Sequence, residues 1–394
     1  MMKPITRIAL AMLLLGTLGC SGCRSIPPMP GTTQVAAWQK AYRALKCWNP
    51  RGLYDMPSTE PLLFAMTRIC LKVPGPQDPE KGYQTLVAID AARNEVRAVR
   101  MKSVYSGGVH YTRSGDIVWY SSGNSGEAAL TQRYVEAFTL RKAENREVSL
   151  GRIELPFVAG PGVWSLRGED CNLLSVSNYL KDNHTPRLSE HFLVSDSASF
   201  SGARRIEQRI RPLFWNPAGR YFVVQREVAV QDGSVAPRAT ADRFALDCGG
   251  REVPIEAPLK ARLSQVQDPG ARFLLSRRGD LLVTAEHSEM SRQILVFRGE
   301  ALDVIQAPEI YGDCHDLSCR PFDLPLDAVA WSKSGDHFMV DISFNAVRVY
   351  RTSDLKIVAN WKMKDWGDFP AHGFLSDRAA FELREHSRMT FYEW

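Results

Sequence analysis

Residues 327–363 read DAVAWSKSGDHFMVDISFNAVRVYRTSDLKIVANWKM, and this stretch decides the fold. Short runs rich in β-branched and aromatic residues alternate in it with polar turn signals, of which Ser332–Asp336 is the clearest. A turn-initiating Ser bonds back to nearby backbone, and Gly335 supplies the positive φ that a tight turn needs. The stretch therefore predicts consecutive antiparallel strands joined by hairpin turns.

The same turn recurs along the chain at intervals of 44 to 60 residues. Its last small residue falls, in chain order, at Gly115, Gly168, Gly219, Gly279, Gly335 and Ala379. Predicted third strands of the units are 84–90, 133–140, 191–196, 242–247, 293–298 and 346–351, and predicted fourth strands are 95–101, 147–153, 252–257 and 356–361. With residues 62–73 as an inner strand of the first unit, the repeat comprises seven units of about four strands.

Four-stranded units at this spacing are typical of a β-propeller. We therefore expect an all-β fold, a β-propeller of about seven four-stranded blades, with six as the alternative, and a short N-terminal helix. The Trp-Ser-x-x-Gly-Asp turn and the strands after it resemble WD40-like and TolB-like propellers over about residues 60–394. No unit shows the His and terminal Trp-Asp pair of true WD40 repeats. The last unit ends within a strand at Trp394, so we expect it to take an outer strand from the N-terminal side.

The first 23 residues have the pattern of an export signal. Lys3 and Arg7 flank the start of a predominantly apolar stretch of 12 residues, 8–19, a length suited to a signal peptide. Gly19-Cys20 resembles the lipobox of bacterial lipoproteins, although Thr17 and Leu18 depart from its preferred residues. The resemblance implies a lipoprotein signal peptide at 1–19 and lipidation of Cys20, with Cys23 as the alternative. An ordinary cleaved signal and a retained anchor are the other interpretations. By the same resemblance, Ser21 favours the outer membrane, with the protein facing the periplasm of a bacterial cell envelope.

Residues 20–49 are predicted to be a lipidated tether followed by a short helix, and residues 50–394 the β-propeller domain. Apolar side chains spaced three or four apart in residues 34–46 predict the helix. Without Lys3 and Arg7, the 49 basic residues fall to 47 against 44 acidic ones. This near balance argues against nucleic acid as a partner.

Eight cysteines occur, and an envelope location permits disulfides. Cys314 and Cys319 are candidates for one disulfide, and Cys47 and Cys70 for another. Cys171 and Cys248 form a third candidate pair, and free thiols or a metal site at 314–319 remain alternatives. The spacing of that cluster is not that of a zinc site, so we predict neither a metal nor a cofactor.

Other chemistry-bearing residues have structural as well as functional interpretations. Carboxylates next to the turn glycine are expected to be turn residues, the alternative being a catalytic ring; they are Asp116, Glu169, Asp280 and Asp336. Candidate partner-binding residues are Arg204, Arg205, Arg209, Arg211, Trp361 and Trp366. The histidines are scattered, and no nucleophile elbow or phosphate-binding glycine loop occurs, so no catalytic residue is predicted.

These features favour a non-enzymatic, membrane-anchored scaffold that binds an envelope protein. A small-ligand sensor is one alternative. A hydrolase or lyase with its site at the mouth of the propeller channel is another, because residues from distant loops can meet there. Fold alone does not decide among the three.

Overall fold

The structure is a computed structural model of the 394-residue chain. It describes residues 40–41, 44, 62–66, 85–90, 95–100, 107–112, 116–122, 132–141, 147–178, 188–195, 200–228, 238–284, 293–306, 329–342, 346–362, 371–384 and 388–394. Lys40, Ala41 and Ala44 are helical and exposed, within the segment predicted to be the N-terminal helix. Among the described residues, no helix combines the length and the apolar character needed to cross a membrane.

The described strands form seven antiparallel sheets, numbered here in chain order. The first three contain β1 (Leu62–Met66), β2 (Thr85–Asp90) and β3 (Glu95–Arg100); β4 (Gly107–Tyr111), β5 (Ile117–Ser121), β6 (Tyr134–Leu140) and β7 (Glu147–Glu154); and β8 (Ala159–Arg167), β9 (Cys171–Asn178), β10 (Ser189–Ser195) and β11 (Arg204–Ile206). The fourth and fifth contain β12 (Ile210–Asn216), β13 (Tyr221–Val228), β14 (Arg238–Leu246) and β15 (Glu252–Val253); and β16 (Arg272–Leu275), β17 (Leu281–Thr284), β18 (Gln293–Arg298) and β19 (Ala301–Gln306). The sixth and seventh contain β20 (Val329–Trp331), β21 (His337–Ile342), β22 (Ala346–Arg351) and β23 (Ile357–Lys362); and β24 (Ala371–Ser376), β25 (Ala379–Arg384) and β26 (Arg388–Glu393).

Strands within each sheet follow one another in chain order, so every sheet is a simple meander. The first strands of successive sheets lie next to each other: β4 contacts β8, β8 contacts β12, β12 contacts β16, and β20 contacts β24. A meander whose first strand lies against the first strand of the next meander is the arrangement of a β-propeller around a common axis.

The hydrophobic core is divided into clusters that lie between successive sheets. Phe222 and Leu173, for example, belong to one cluster between the third and fourth sheets. Comparable clusters join the second to the third sheet, the fourth to the fifth, the fifth to the sixth, and the sixth to the seventh. Large side chains such as Trp119, Phe297 and Phe338 are fully buried in the sheets. Packing each sheet face on the next supplies the burial that a single sheet lacks.

One predicted strand is much shorter than expected. The prediction placed a fourth strand at 252–257, but β15 ends at Val253 and a helix, α1 (Ala257–Ser264), follows. Pro254 has no N–H to donate to a sheet, and Pro258 at the start of the helix has the φ that a first helical turn requires. Leu259 and Leu263, four residues apart, bury the inner side of α1 in the core between the fourth and fifth sheets.

Two further expectations about the ends of the propeller meet the structure only in part. β1, which lies in the predicted inner strand 62–73, pairs with β2 and is the first of the three described strands of its sheet. The seventh sheet has the described strands β24 to β26, and the N-terminal strand expected to complete it lies outside the described residues.

Candidate functional site

In the fifth and sixth sheets, the turns between the first and second strands share one construction. In the fifth sheet, Ser276 Oγ accepts hydrogen bonds from the backbone N–H of Arg278 and Asp280, at 3.2 and 3.0 Å. In the sixth, Ser332 Oγ accepts from the N–H of His337 at 3.1 Å. Gly279 and Gly335 have φ of 85° and 79°, as the turn motif predicts. In the fourth sheet, Arg220 takes the positive φ instead, at 55°.

The third sheet does not follow the predicted turn. Its turn runs from Gly168 to Cys171, where the Gly168 N–H donates to the Cys171 carbonyl oxygen at 2.7 Å. β8 therefore extends to Arg167, and Trp164 lies within the strand. Trp331, which holds the matching place in the motif, instead ends its strand, is 3% exposed and donates its indole N–H to the Leu274 carbonyl oxygen at 3.0 Å. Trp164 is 42% exposed.

Charged residues of the turns join neighbouring sheets. Arg220 pairs with Asp170 of the third sheet, and Arg278 of the fifth sheet pairs with Asp336 of the sixth. Ser334 of the sixth sheet donates to the carboxylate of Asp377 in the seventh, through Oγ at 2.6 Å and its backbone N–H at 2.9 Å. We call the surface formed by these turns the turn face.

The turns between third and fourth strands reach the same face. Arg298, the last residue of β18 before the turn of the fifth sheet, donates to the carbonyl oxygens of Thr352 and Ser353 in the turn of the sixth. Thr352 Oγ1 donates to the Gly335 carbonyl oxygen at 2.7 Å, which joins the two turns of its own sheet. The links on the turn face thus continue without a break from the third sheet to the seventh, with Arg262 of α1 bonded to the Gly279 carbonyl oxygen.

A disulfide adds a covalent link on the turn face. Cys171, at the start of β9, is bonded to Cys248 in the last turn of the fourth sheet; their Cα atoms are 5.9 Å apart and the two residues are 77 positions apart in sequence. Arg204 donates to the carbonyl oxygen of the adjacent Gly249. The candidate pairing of Cys171 with Cys248 is therefore present. Cys20, Cys23, Cys47, Cys70, Cys314 and Cys319 lie outside the described residues.

The predicted turn carboxylates take part in the contacts of the turn face. Asp336 pairs with Arg278, and Glu169 lies 3.6 Å from Arg220. Burial raises the pKa of Asp280, a shift that Arg278 and Arg262 oppose. Burial also acts to raise the pKa of Asp377, but the hydrogen bonds from Ser334 and Ser332, together with the charge of His337, lower that pKa below its ordinary value. These carboxylates bind turn backbone and neighbouring sheets.

The four arginines of the predicted partner-binding patch are divided between different surfaces. Arg204 and Arg205 are consecutive on β11 and so direct their side chains to opposite faces of the sheet. Arg205 binds Glu190 through two hydrogen bonds of 2.5 Å, whereas Arg204 takes part in the turn face. Arg211 donates to the Pro269 carbonyl oxygen at 3.2 Å, and Arg209 is exposed. Trp361 lies in β23, and Trp366 is outside the described residues.

A row of residues across the third sheet forms the strongest candidate for a binding site. Trp164 on β8 is in register with Ser175 on β9, and Ser175 with His191 on β10. Directly paired residues share a face of a sheet. That face is the one turned to the fourth sheet, because Leu173 and Leu193, two positions along from Ser175 and His191, belong to the cluster between those sheets. We call these three residues the Trp164 row.

His191 is the most strongly perturbed histidine of the described chain. It is 5% exposed, and burial lowers its pKa to about 4. Its Nδ1 lies 2.8 Å from Ser175 Oγ. The ring is therefore neutral at pH 7, and a base of pKa about 4 is poorly matched to activating a serine there. The pair is suited to hydrogen bonding beside the exposed indole.

The fourth sheet supplies a charged pair on the side facing the Trp164 row. Arg226 is in register with Ile210, a member of the cluster between the third and fourth sheets. Its guanidinium lies 4.6 Å from the centre of the Phe244 ring and donates to Asp242 at 2.8 Å. The region thus offers an exposed aromatic surface, neutral hydrogen-bonding groups and an ion pair. This combination is suited to contact with the side chains of another protein.

No group of three or more His, Cys, Asp or Glu that could hold a metal ion occurs in the described part of the chain. No sequence motif marks His191, because its neighbours Phe192, Leu193 and Val194 are ordinary buried strand residues. Its pairing with Ser175 arises from strand register, which depends on both strands and on the connection between them.

Comparisons with known proteins find no matching family model and no matching curated protein. Similar solved structures include the β-propeller domain of the Trilobed protease from Pyrococcus furiosus, at 10% identity and a TM-score of 0.48, with 88% of this chain and 94% of that chain covered. The Cps50 (Swd1) β-propeller domain of Myceliophteria thermophila has 12% identity and a TM-score of 0.45, with 88% and 99% covered. Hsv2p of Kluyveromyces lactis has 11% and 0.46, with 87% and 92% covered. Similarities at this level carry no information on activity or partner. The evidence for the propeller arrangement is the packing of successive sheets in this chain.

Proposed function

We propose that this chain is a bacterial envelope lipoprotein, lipidated at Cys20, whose seven-bladed propeller is a non-enzymatic scaffold for an envelope protein. The lipobox-like Gly19-Cys20 and the apolar segment before it support the envelope location and the lipid anchor. Seven sheets among the described residues support the blade number. The partner-binding surface is assigned to the Trp164 row.

The observation that carries the scaffold function is the contrast between the turn face and the Trp164 row. From the third to the seventh sheet, turns are joined by ion pairs, hydrogen bonds and a disulfide, which together make a stiff framework. Within that framework Trp164 remains 42% exposed, in the part of β8 that pairs with β9 without a register shift. A large aromatic side chain held on a rigid element binds with little loss of conformational entropy, as interface hot spots do.

The proposal is tested by crosslinking in living cells that carry the tagged full-length protein, followed by purification from detergent-solubilised envelopes. We expect one protein to co-purify in near-equal amount, and we expect Cys20→Ala to release the chain from the membrane and lose that protein. Labelling with radioactive palmitate checks the lipid directly, and Cys23→Ala is the matched control that keeps it. An absence of any enriched protein would overturn the scaffold function.

A further inference from the structure

The two cysteines of the Cys171–Cys248 disulfide occupy unlike environments. Cys171 is 2% exposed and belongs to the apolar cluster between the third and fourth sheets, together with Leu173 and Leu246. Cys248 is exposed, in the turn that follows β14. While the two sheets are packed together, a molecule in solution therefore has access to Cys248 and not to Cys171.

The turn that carries Cys248 is held in place by hydrogen bonds, yet it leaves the cysteine uncovered. The Asp247 N–H donates to the Arg251 carbonyl oxygen at 3.0 Å, and the Arg251 N–H donates to the Asp247 carboxylate at 2.9 Å. The two residues after Cys248 are glycines, which have no side chains to cover it. Arg204 donates to the Gly249 carbonyl oxygen, so two cations accompany one carboxylate in this turn. Such surroundings favour the thiolate form of a cysteine.

These environments predict different reactivities for the two sulfur atoms. Thiol–disulfide exchange begins with attack of a thiolate on one sulfur of a disulfide, passes through a mixed disulfide and requires access to the sulfur attacked. A cysteine buried in apolar surroundings is inert, whereas one that is exposed near cations is reactive. Cys248 is therefore suited to exchange with molecules in solution. Cys171 is suited to exchange only with Cys248, whose Cα lies 5.9 Å from its own.

We propose that Cys248 is a thiolation site, at which an external disulfide RS–SR first reacts with this chain, and that Cys171 is the resolving thiol. The Cys248 thiolate attacks RS–SR, which forms the mixed disulfide Cys248–S–SR and releases one RS⁻. The Cys171 thiolate then attacks the Cys248 sulfur, which forms the bond seen in the structure and releases the second RS⁻. Two electrons pass from the cysteines to the external disulfide, and the two thiol protons pass through water to the released thiolates.

Reduction by an external thiol follows the same path in reverse, so it also begins at Cys248. Glutathione disulfide and the active-site disulfide of a thiol oxidoreductase both have the RS–SR chemistry that the site requires. The inference goes beyond the proposed scaffold function and does not depend on it.

The first experiment compares Cys171→Ala with Cys248→Ala, each reduced and then treated with glutathione disulfide as the purified full-length protein. Both variants lack the bond, and each keeps one of the two thiols. Tryptic peptides 168–181 and 244–251 contain one cysteine each, so mass spectrometry reads the two sites separately. We expect 244–251 of Cys171→Ala to gain glutathione at least about tenfold faster than 168–181 of Cys248→Ala. Similar rates in the folded proteins would overturn the proposal, whereas similar rates are expected in urea.

The second experiment uses the unaltered protein, so it does not depend on how the variants fold. The folded protein is treated with reduced glutathione, quenched with acid before the bond is fully opened, and then denatured and alkylated. Glutathione should be at least about tenfold more abundant on 244–251 than on 168–181, because an external thiolate has access only to the Cys248 sulfur. Any other distribution would overturn the assignment of the two roles.

The third experiment identifies the source of the external disulfide in cells that carry Cys171→Ala, in which the mixed disulfide at Cys248 has no resolving thiol. A gain of a second protein's mass on a non-reducing gel indicates a thiol oxidoreductase, and glutathione on 244–251 indicates the small molecule. An adduct equally abundant in the double variant C171A/C248A, or no adduct, would overturn the proposal. None of these measurements involves recovery of a scaffold partner, so failure of the scaffold function is detected separately.

Discussion

Arg278, in the turn between β16 and β17, is ion-paired with Asp336 in the corresponding turn of the sixth sheet. Their side chains are 57% and 52% exposed, so water screens the attraction. A double-mutant cycle with Arg278→Ala and Asp336→Ala should give a coupling energy of about 0.2–1 kcal/mol in urea unfolding. Molar salt should reduce it. A coupling above about 2 kcal/mol would show that the pair is desolvated in solution.

Loss of the Cys171–Cys248 disulfide should lower the free energy of unfolding by about 2–4 kcal/mol, because the bond restricts the unfolded chain over 77 residues. The measurement is urea unfolding of the double variant C171A/C248A beside the unaltered protein. Added reductant provides the control: it should bring the unaltered protein's stability towards that of the variant. Equal stabilities under oxidising conditions would contradict the bond.

His191 makes stability depend on pH. The unfolded chain takes up a proton on this histidine below about pH 6.5, whereas the folded chain does so only near its pKa of about 4. Stability should therefore fall as the pH is lowered from about 6.5 to about 4, and His191→Gln should remove this part of the fall. The ring resonances of His191 in NMR spectra give the midpoint directly, and a midpoint near 6.5 would refute the burial effect.

Arg243 hydrogen-bonds to the end of α1 and to the segment that follows it. Its guanidinium donates to the carbonyl oxygens of Leu263, Val266 and Asp268, at 2.9, 2.8 and 3.2 Å. Arg243→Met keeps much of the side-chain volume but leaves these acceptors unsatisfied, which should cost about 2–4 kcal/mol in urea unfolding. Arg251→Met, at a side chain that is 80% exposed, is the control and should cost less than about 1 kcal/mol.

Trp164→Ala should separate binding from stability. Because the side chain is 42% exposed, unfolding should change by less than about 1 kcal/mol, while recovery of the co-purified partner should fall at least about tenfold. Ile357→Ala, at a similarly exposed residue of the sixth sheet, should leave recovery unchanged. Trp331→Ala should instead destabilise the fold by about 3–5 kcal/mol, since Trp331 is buried. Full recovery with Trp164→Ala would remove the Trp164 row from the binding surface.

Much of the strand pattern was predictable because its causes are local. Turns such as Ser332–Asp336 require particular residue types, and the predicted third strand at 293–298 has the observed bounds. The helix α1 was missed although Pro258 and the spacing of Leu259 and Leu263 are helix signals. The other units of the repeat have a strand at this position, and the prediction followed the repeat instead of these local helix signals.

The candidate site was less predictable, because it depends on register between distant segments. Trp164 and Trp331 stand in the same motif, yet a turn displaced to Gly168–Cys171 leaves one exposed and the other buried. Arg204 and Arg205 lie on opposite faces of the sheet because β11 is a strand, and the sequence pattern did not predict a strand at these residues. Cys171 and Cys248 were one pairing among several, and what selects them is the position of the fourth sheet's last turn.

The links on the turn face also determine how the molecule can assemble itself. They join residues 43, 50, 58 and 77 positions apart, so each is closed within about one or two repeat lengths. Loop-closure entropy rises only slowly over such separations. Each sheet can therefore be fixed to its neighbour as soon as the next sheet along the chain has formed. A chain truncated after the sixth sheet would retain every link between the third and the sixth sheets. Folding can advance from one end to the other, as it does in linear repeat proteins.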